Sequence, residues 1–230
     1  MSRPYTAEEL SDQITVDRSW RLREISDMKA AVLRADNVAQ RVLLRAMVAI
    51  CYAHWEGHVR FSARKYFEHV ALRKITFDQL DRQFYRNHFL PRLAAMSATK
   101  TSISSRSALV DDILDGRRER FSRVNDDLIN TKANLSFDVL TDICVVCSIP
   151  IDWFAERQSF IDVFLLKRRN SIAHGEDAFI EIDDLDKLSE ETISLMRAFG
   201  DELEKQIVLK TYRIQAAASA VSELSIAGHS

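Results

Sequence analysis

The chain has 230 residues, with 32 Lys and Arg against 34 Asp and Glu, for a net charge of −2. That balance excludes a basic coat for polyanions, so any nucleic-acid site must be local. Hydrophobic residues make up 47%, enough for a packed core, and with only 5 Gly and 3 Pro long helices are favoured over a many-stranded sheet.

In chain order, Thr6 and Glu9 fit a capping box. The helix they open is expected to reach about Leu33, with a patchy apolar side of Leu10, Ile14, Trp20 and Ile25. It is expected to pack on a bundle or on a second subunit. Asp36 or Asn37 caps the next helix. From Val38 through Met47, Cys51, Trp55, Val59 and Phe67 its apolar residues keep helical spacing to about Arg73. Thr76 to Gln79 opens a shorter helix with Leu80, Phe84 and Leu90 inside, disturbed by Pro91. Residues 97–107, rich in Ser, Thr and Lys, are expected to form a mobile loop. Residues 108–121 are expected to be helical, and residues 124–131 leave room for an extended segment.

Residues 135–149 read as an apolar helix stopped by Pro150. Asp152 caps a helix that holds Phe154, Ile161, Phe164, Leu165 and Ile172, and Gly175 stands where a C′ glycine ends it. Residues 179–182 form a short extended linker. Asp183 or Asp184 opens a last helix through Leu185, Met196, Phe199 and Ile207. The predicted fold is therefore all-α, an up-and-down helical bundle. An N-terminal helix covers residues 1–35, a helical domain residues 36–215, and a flexible tail residues 216–230.

Cys51, Cys144 and Cys147 are an odd set, and the N-terminus has no apolar signal core. No uncharged apolar run reaches membrane-spanning length. A cytoplasmic protein with no membrane association is expected. Cys144 and Cys147 form a CxxC inside an apolar run with no second pair, so buried thiols are expected. His54 and His58, four apart, make at most an edge of a metal site, with His69 and His88 in no recognisable ligand spacing. No metal or cofactor is expected. Two basic clusters, Arg60, Arg64, Lys65, Arg73, Lys74 and Arg117, Arg118, Arg120, Arg123, are either solvated faces or an RNA track. No phosphate-cradling glycine loop or hydrolase elbow is present.

The densest chemistry lies at Lys167, Arg168, Arg169, Asn170 and His174, ahead of Gly175. Arg grips phosphate with a planar fork and keeps its charge, and His trades protons near neutral pH. These types suit a phosphodiester. They also suit a plain helix C-terminus, where cations and Asn are common. Asn170 and His174 share a face, whereas Arg169 lies about 140° around from His174. A long Arg reaching across, a distorted turn, or a second helix or subunit could complete a site. Val163 and Leu166 lead to Asn170 and His174 on one stripe. Ile161, Leu165, Arg168 and Ile172 form another. Two apolar faces imply two partners: one is the core, and the other could be a symmetric copy of this helix.

The block from Leu165 to Glu176 resembles the signature of HEPN domains, an Arg followed by a polar residue and then, a turn or so on, by His. Arg169, Asn170 and His174 fit it. The stretch from Tyr52 to Arg60, with Trp55-Glu56-Gly57, resembles the first core helix of a prokaryotic HEPN branch. Asn134-Leu135 resembles the segment before the motif helix. The resemblance runs in order from Asp36 to Leu209. It implies a bundle that dimerises through the motif helix and acts as a metal-independent endoribonuclease. It further implies the toxin of a toxin–antitoxin or phage-defence system, restrained by an antitoxin or inhibitory protein. Carried over, His174 is the acid or base, Arg169 stabilises transition-state charge, and Asn170 orients His174 or the phosphate. The product is a 2′,3′-cyclic phosphate. Glu56 and Arg60 resemble an acidic and basic pair beside the motif, with Arg64, Lys167 and Arg168 as further RNA contacts. His58 departs from the pattern, where an apolar or aromatic residue is expected. The alternatives are a non-catalytic HEPN-like module that binds RNA, nucleotide or a protein partner, and an assembly scaffold.

Overall fold

The computed structural model describes residues 5–131 and 134–214, so the expected tail at 216–230 lies outside the described residues. The protein is all-α, and no sheet forms among the described residues. Helix α1 spans Ala7–Arg34. The Thr6 hydroxyl accepts from the Glu9 N–H at 3.1 Å, and the Glu9 carboxylate accepts from the Thr6 N–H at 2.7 Å, so both halves of the capping box form. Helix α2 spans Asn37–Ala71, opened by the Asp36 carboxylate, which accepts from the Val38 and Ala39 N–H groups. Then come α3 (Arg82–Ala98), α4 (Ile103–Asp115), α5 (Phe137–Cys147) and α6 (Asp152–Ala155). A π-helical segment, Phe160–Lys167, runs into α7 (Arg168–Ala173), and α8 (Asp184–Val208) completes the bundle.

Helices α1, α2 and α8 pack on one another as the central layer. Trp55 on α2 is fully buried, with its ring against Phe154 and Phe199 at 6.4 and 6.3 Å. Helix α2 is apolar over more than one side because it has several neighbours. Its Trp55 and Val59 face the interior, its His54 and His58 face α1, and its Tyr52 and Glu56 face the motif region. All three cysteines are buried and free, and burial pushes the Cys51 and Cys144 thiols up to about 12. No helix among the described residues is long and apolar enough to cross a membrane.

Several local expectations change. Residues 97–107 are not one loop, and only 99–102 connect the two helices there. Helix α3 continues to Ala98, and the Ser102 hydroxyl accepts from the Ser105 N–H to open α4. The Ser- and Thr-rich composition there is cap chemistry. Thr76 donates its hydroxyl to the Asp78 carboxylate, so it opens only a single 3-10 turn, Phe77–Gln79. Asp81 is the true cap of α3, and Pro91 lies inside that helix. Helix α4 ends at Asp115, short of the expected Phe121, and residues 124–131 hold a 3-10 turn, Asp126–Ile129. The helix after Pro150 is not one piece: α6 ends at Ala155, and a turn at 156–157 separates it from the helical run that leads through the π segment into α7.

His69 gives the fold a pH dependence. Its ring is buried between Tyr5 at 5.4 Å and Tyr212 at 6.2 Å. Burial, helped by the Arg73 charge, lowers its pKa from 6.5 to about 4. A folded pKa below the unfolded one means stability is complete above 6.5 and is lost as pH falls toward 4. Thermal melts from neutral to acid pH should show Tm falling through that window. His69→Phe should flatten the fall, and an unchanged slope would remove His69 as its cause.

Candidate active site

Three chain segments meet at Arg169. Its Nη1 donates to the Asn134 side-chain oxygen at 3.0 Å and to the Asn170 side-chain oxygen at 2.8 Å. Its guanidinium carbon lies 4.4 Å from the Tyr52 ring centroid. Every one of these contacts is with a neutral group. Among the described residues no carboxylate pairs with Arg169, and its Nη2 and Nε have no hydrogen-bond partner. The neighbouring Arg168 is different. It is spent on Asp184 at 2.7 Å and stacks 3.9 Å over Phe164, which ties the motif to the start of α8. Arg169 is therefore a held cation with its fork still open, whereas Arg168 is structural.

Tyr52 supplies the floor. It is buried, and its hydroxyl accepts from the Leu135 N–H at 2.6 Å, fixing the segment that presents Asn134. Burial first, and the Glu56 carboxylate after it, push the Tyr52 phenol up to about 12. It stays neutral at physiological pH and is no proton carrier. One turn on, half-buried Glu56 accepts from the Thr131 hydroxyl and holds the same connecting segment. Tyr52→Phe would leave the buried Leu135 N–H unpaired, which costs about 1–3 kcal/mol. Urea unfolding should read that loss, and a variant as stable as wild type would contradict the anchoring role.

His174 ends α7. Its N–H bonds the Asn170 carbonyl at 2.9 Å, and Gly175 follows with φ of 77°. The Gly175 N–H reaches the Ile172 carbonyl at 3.1 Å and the Glu176 N–H the Ser171 carbonyl at 2.9 Å, a complete Schellman closure. A side chain at position 175 would be strained in this left-handed conformation. The last turn is thus regular, and Arg169 and His174 leave α7 in different directions. The distortion lies one turn earlier, in the π segment, where the Asp162 carboxylate accepts from the Phe137 N–H at 2.7 Å. Such segments often sit beside functional sites. Asn170 holds Arg169, not His174.

The other histidines are occupied or remote. His58 is fully buried, and its Nδ1 donates to Asp17 at 2.8 Å, while Asp17 also takes two bonds from Arg21 at 2.8 Å each. His54 pairs with Glu24 at 2.9 Å. Neither His joins Glu56 or forms a metal edge, and among the described residues no His, Cys, Asp and Glu cluster is placed to hold a metal. His88 lies beside Phe77 and Glu119. His174, by contrast, is exposed and, among the described residues, has no side-chain partner.

Lys167 is exposed beside the motif. Arg60 and Arg64 are exposed farther along α2, on the wall of a separate cleft. The Arg117, Arg118, Arg120 and Arg123 cluster is exposed, with Arg120 donating to the Lys74 carbonyl. Sequence reasoning missed Tyr52 as the floor under Arg169 and Thr131 as the partner of Glu56. It also missed Arg45, which donates to the Glu176 and Ala178 carbonyls and braces the chain just past His174. Arg45, Tyr52 and Glu56 recur on one stripe of α2, a spacing that was available as a signal.

The family described as RiboL-PSP-HEPN matches the chain over residues 16–205, a span that runs from α1 to the last turn of α8. Neither the curated proteins nor the solved structures give a match.

Proposed function

The chain belongs to the RiboL-PSP-HEPN family, and from that premise we propose that it is an endoribonuclease that needs no metal. The observation that supports this most is the open charge of Arg169. The buried Tyr52 ring and two amide oxygens, with no carboxylate among the described residues, hold a guanidinium that can meet a phosphate. His174, five residues on, supplies an exposed imidazole that can give or take a proton.

The reaction follows from these groups. The ribose 2′-hydroxyl attacks the adjacent phosphorus and loses its proton. The bond from phosphorus to the 5′-oxygen breaks, and that oxygen takes a proton. One product ends in a 2′,3′-cyclic phosphate and the other in a 5′-hydroxyl. His174 handles one of the two proton transfers. Arg169 stabilises the negative charge that builds on the phosphoryl oxygens. Asn170 and Asn134 position Arg169. Lys167 adds a positive charge beside the strand.

His174 and Arg169 point different ways on α7, so we assign the complete site to two chains packed through the motif helix. Val163, Phe179 and Ile182 support this reading, as large apolar side chains left exposed around the motif. An unrestrained ribonuclease harms its host, so the activity belongs in a toxin–antitoxin or defence setting with an inhibitory protein as partner.

Incubation with mixed-sequence RNA in EDTA tests the reading. Cleavage by the wild-type chain is expected. Binding without cleavage under all conditions would favour the alternative, a HEPN module that binds RNA and does not cut it.

A further inference from the structure

Beyond Glu56, α2 borders a cleft of about 550 Å³. Its far wall is the 3-10 turn Asp126–Ile129, the segment that leads into Thr131 and its bond to Glu56. The inner end of the cleft therefore abuts the Tyr52–Glu56 side of the Arg169 site. At 1.5 Å per helical residue, Arg60 stands about 12 Å along α2 from Tyr52, a few nucleotides at most.

The lining has a definite chemistry. Arg60 is exposed and, among the described residues, has no acidic or hydrogen-bonding partner. Arg64, the next arginine along, is already paired with Glu68 at 3.2 Å and Asp126 at 3.6 Å. Phe61 presents a half-buried ring to the cleft. Opposite stands Asp127, an exposed carboxylate outside any ion pair among the described residues. Gly57 forms part of the floor. A Cβ there would come within 2.6 Å of Arg21 Nη1, so glycine keeps this wall open for the Arg21 side chain.

Building on the nuclease reading, we propose that this cleft is a subsite for one flanking nucleotide of single-stranded RNA. Its phosphate meets Arg60, its base stacks on Phe61, and its base edge meets Asp127. A cleft of this volume suits a small ligand. Single strands are gripped by this pairing of a cation with an aromatic platform. The carboxylate sets the polarity, because it repels phosphate and accepts from an exocyclic amine. Cytosine, adenine and guanine offer that amine, and uracil does not.

The test is fluorescence anisotropy with labelled cytidine and uridine oligomers on the His174→Ala chain in EDTA. Cytidine oligomers should bind more tightly than uridine oligomers. Arg60→Ala and Phe61→Leu should each weaken cytidine binding by about tenfold. Arg60→Ala should also reduce the slope of log affinity against log salt by about 0.7. Asp127→Asn should shrink the preference for cytidine. Unchanged affinity in both Arg60→Ala and Phe61→Leu overturns the subsite, even if the wild-type chain cleaves RNA. Weakened binding in those variants, with a wild type that never cleaves, keeps the subsite and removes the nuclease reading.

Discussion

His174→Ala should lower the rate of RNA cleavage by about 10²–10⁴-fold, the range supplied by a positioned acid or base. The fold should be unaffected, because His174 is exposed and its side chain has no partner among the described residues. Arg169→Ala should cost about 10²–10³-fold, as expected for loss of one charge-stabilising donor. Arg169→Lys should not rescue it. An ammonium cannot keep both amide contacts through one nitrogen, stack on Tyr52 and still offer a fork. Mixing the two inactive chains should restore part of the activity if one site draws Arg169 from one copy and His174 from the other. Single-turnover kinetics on a labelled RNA reads all of these. Full activity in His174→Ala would refute its role.

Asp17→Ala should destabilise the protein by about 3–5 kcal/mol, the usual result of removing one partner from a buried charged cluster. Asp17 receives Arg21 and His58 at once, in the interface of α1 and α2, and His58 is fully buried. Burial by itself pushes the Asp17 carboxyl up. The hydrogen bonds from His58 and Arg21 outweigh that and hold it below 3.8. A lowered folded pKa contributes stability that is present above 3.8 and is lost as pH falls through the folded value. The alanine variant therefore has no such acid-side loss, and its deficit is largest near neutral pH. Asp17→Asn keeps an acceptor for His58 and should lose less. Denaturant unfolding at two pH values separates these outcomes, and an Asp17→Ala chain as stable as wild type at neutral pH would contradict the account.

Local signals made much of the fold legible in the sequence. Thr6 with Glu9, Asp36 and Gly175 mark helix ends by chemistry that acts within a few residues, and the structure places each of them at such an end. Long-range partners were not legible. His58 looks out of place on an apolar helix until Asp17, 41 residues away, is brought against it. Arg169 meets Asn134 across 35 residues, and no periodicity encodes that meeting. Asn170 was expected to serve His174 or the phosphate, because one turn of helix separates it from His174. Its side-chain oxygen turns to Arg169 instead, since the adjacent cation is the stronger donor. The π segment was invisible for a different reason. A shift to i→i+5 bonding leaves the apolar composition unchanged. The Ser-rich stretch misled because Ser serves both caps and loops, and only the presence of a following helix decides which.

The most direct test of the central claim is the chemistry of the cleaved ends. Wild-type protein should cut RNA in EDTA and leave a 2′,3′-cyclic phosphate on one fragment and a 5′-hydroxyl on the other, as read by mass spectrometry of the products. Fragments with a 5′-phosphate and a free 3′-hydroxyl would contradict attack by the 2′-hydroxyl and the roles assigned to Arg169 and His174.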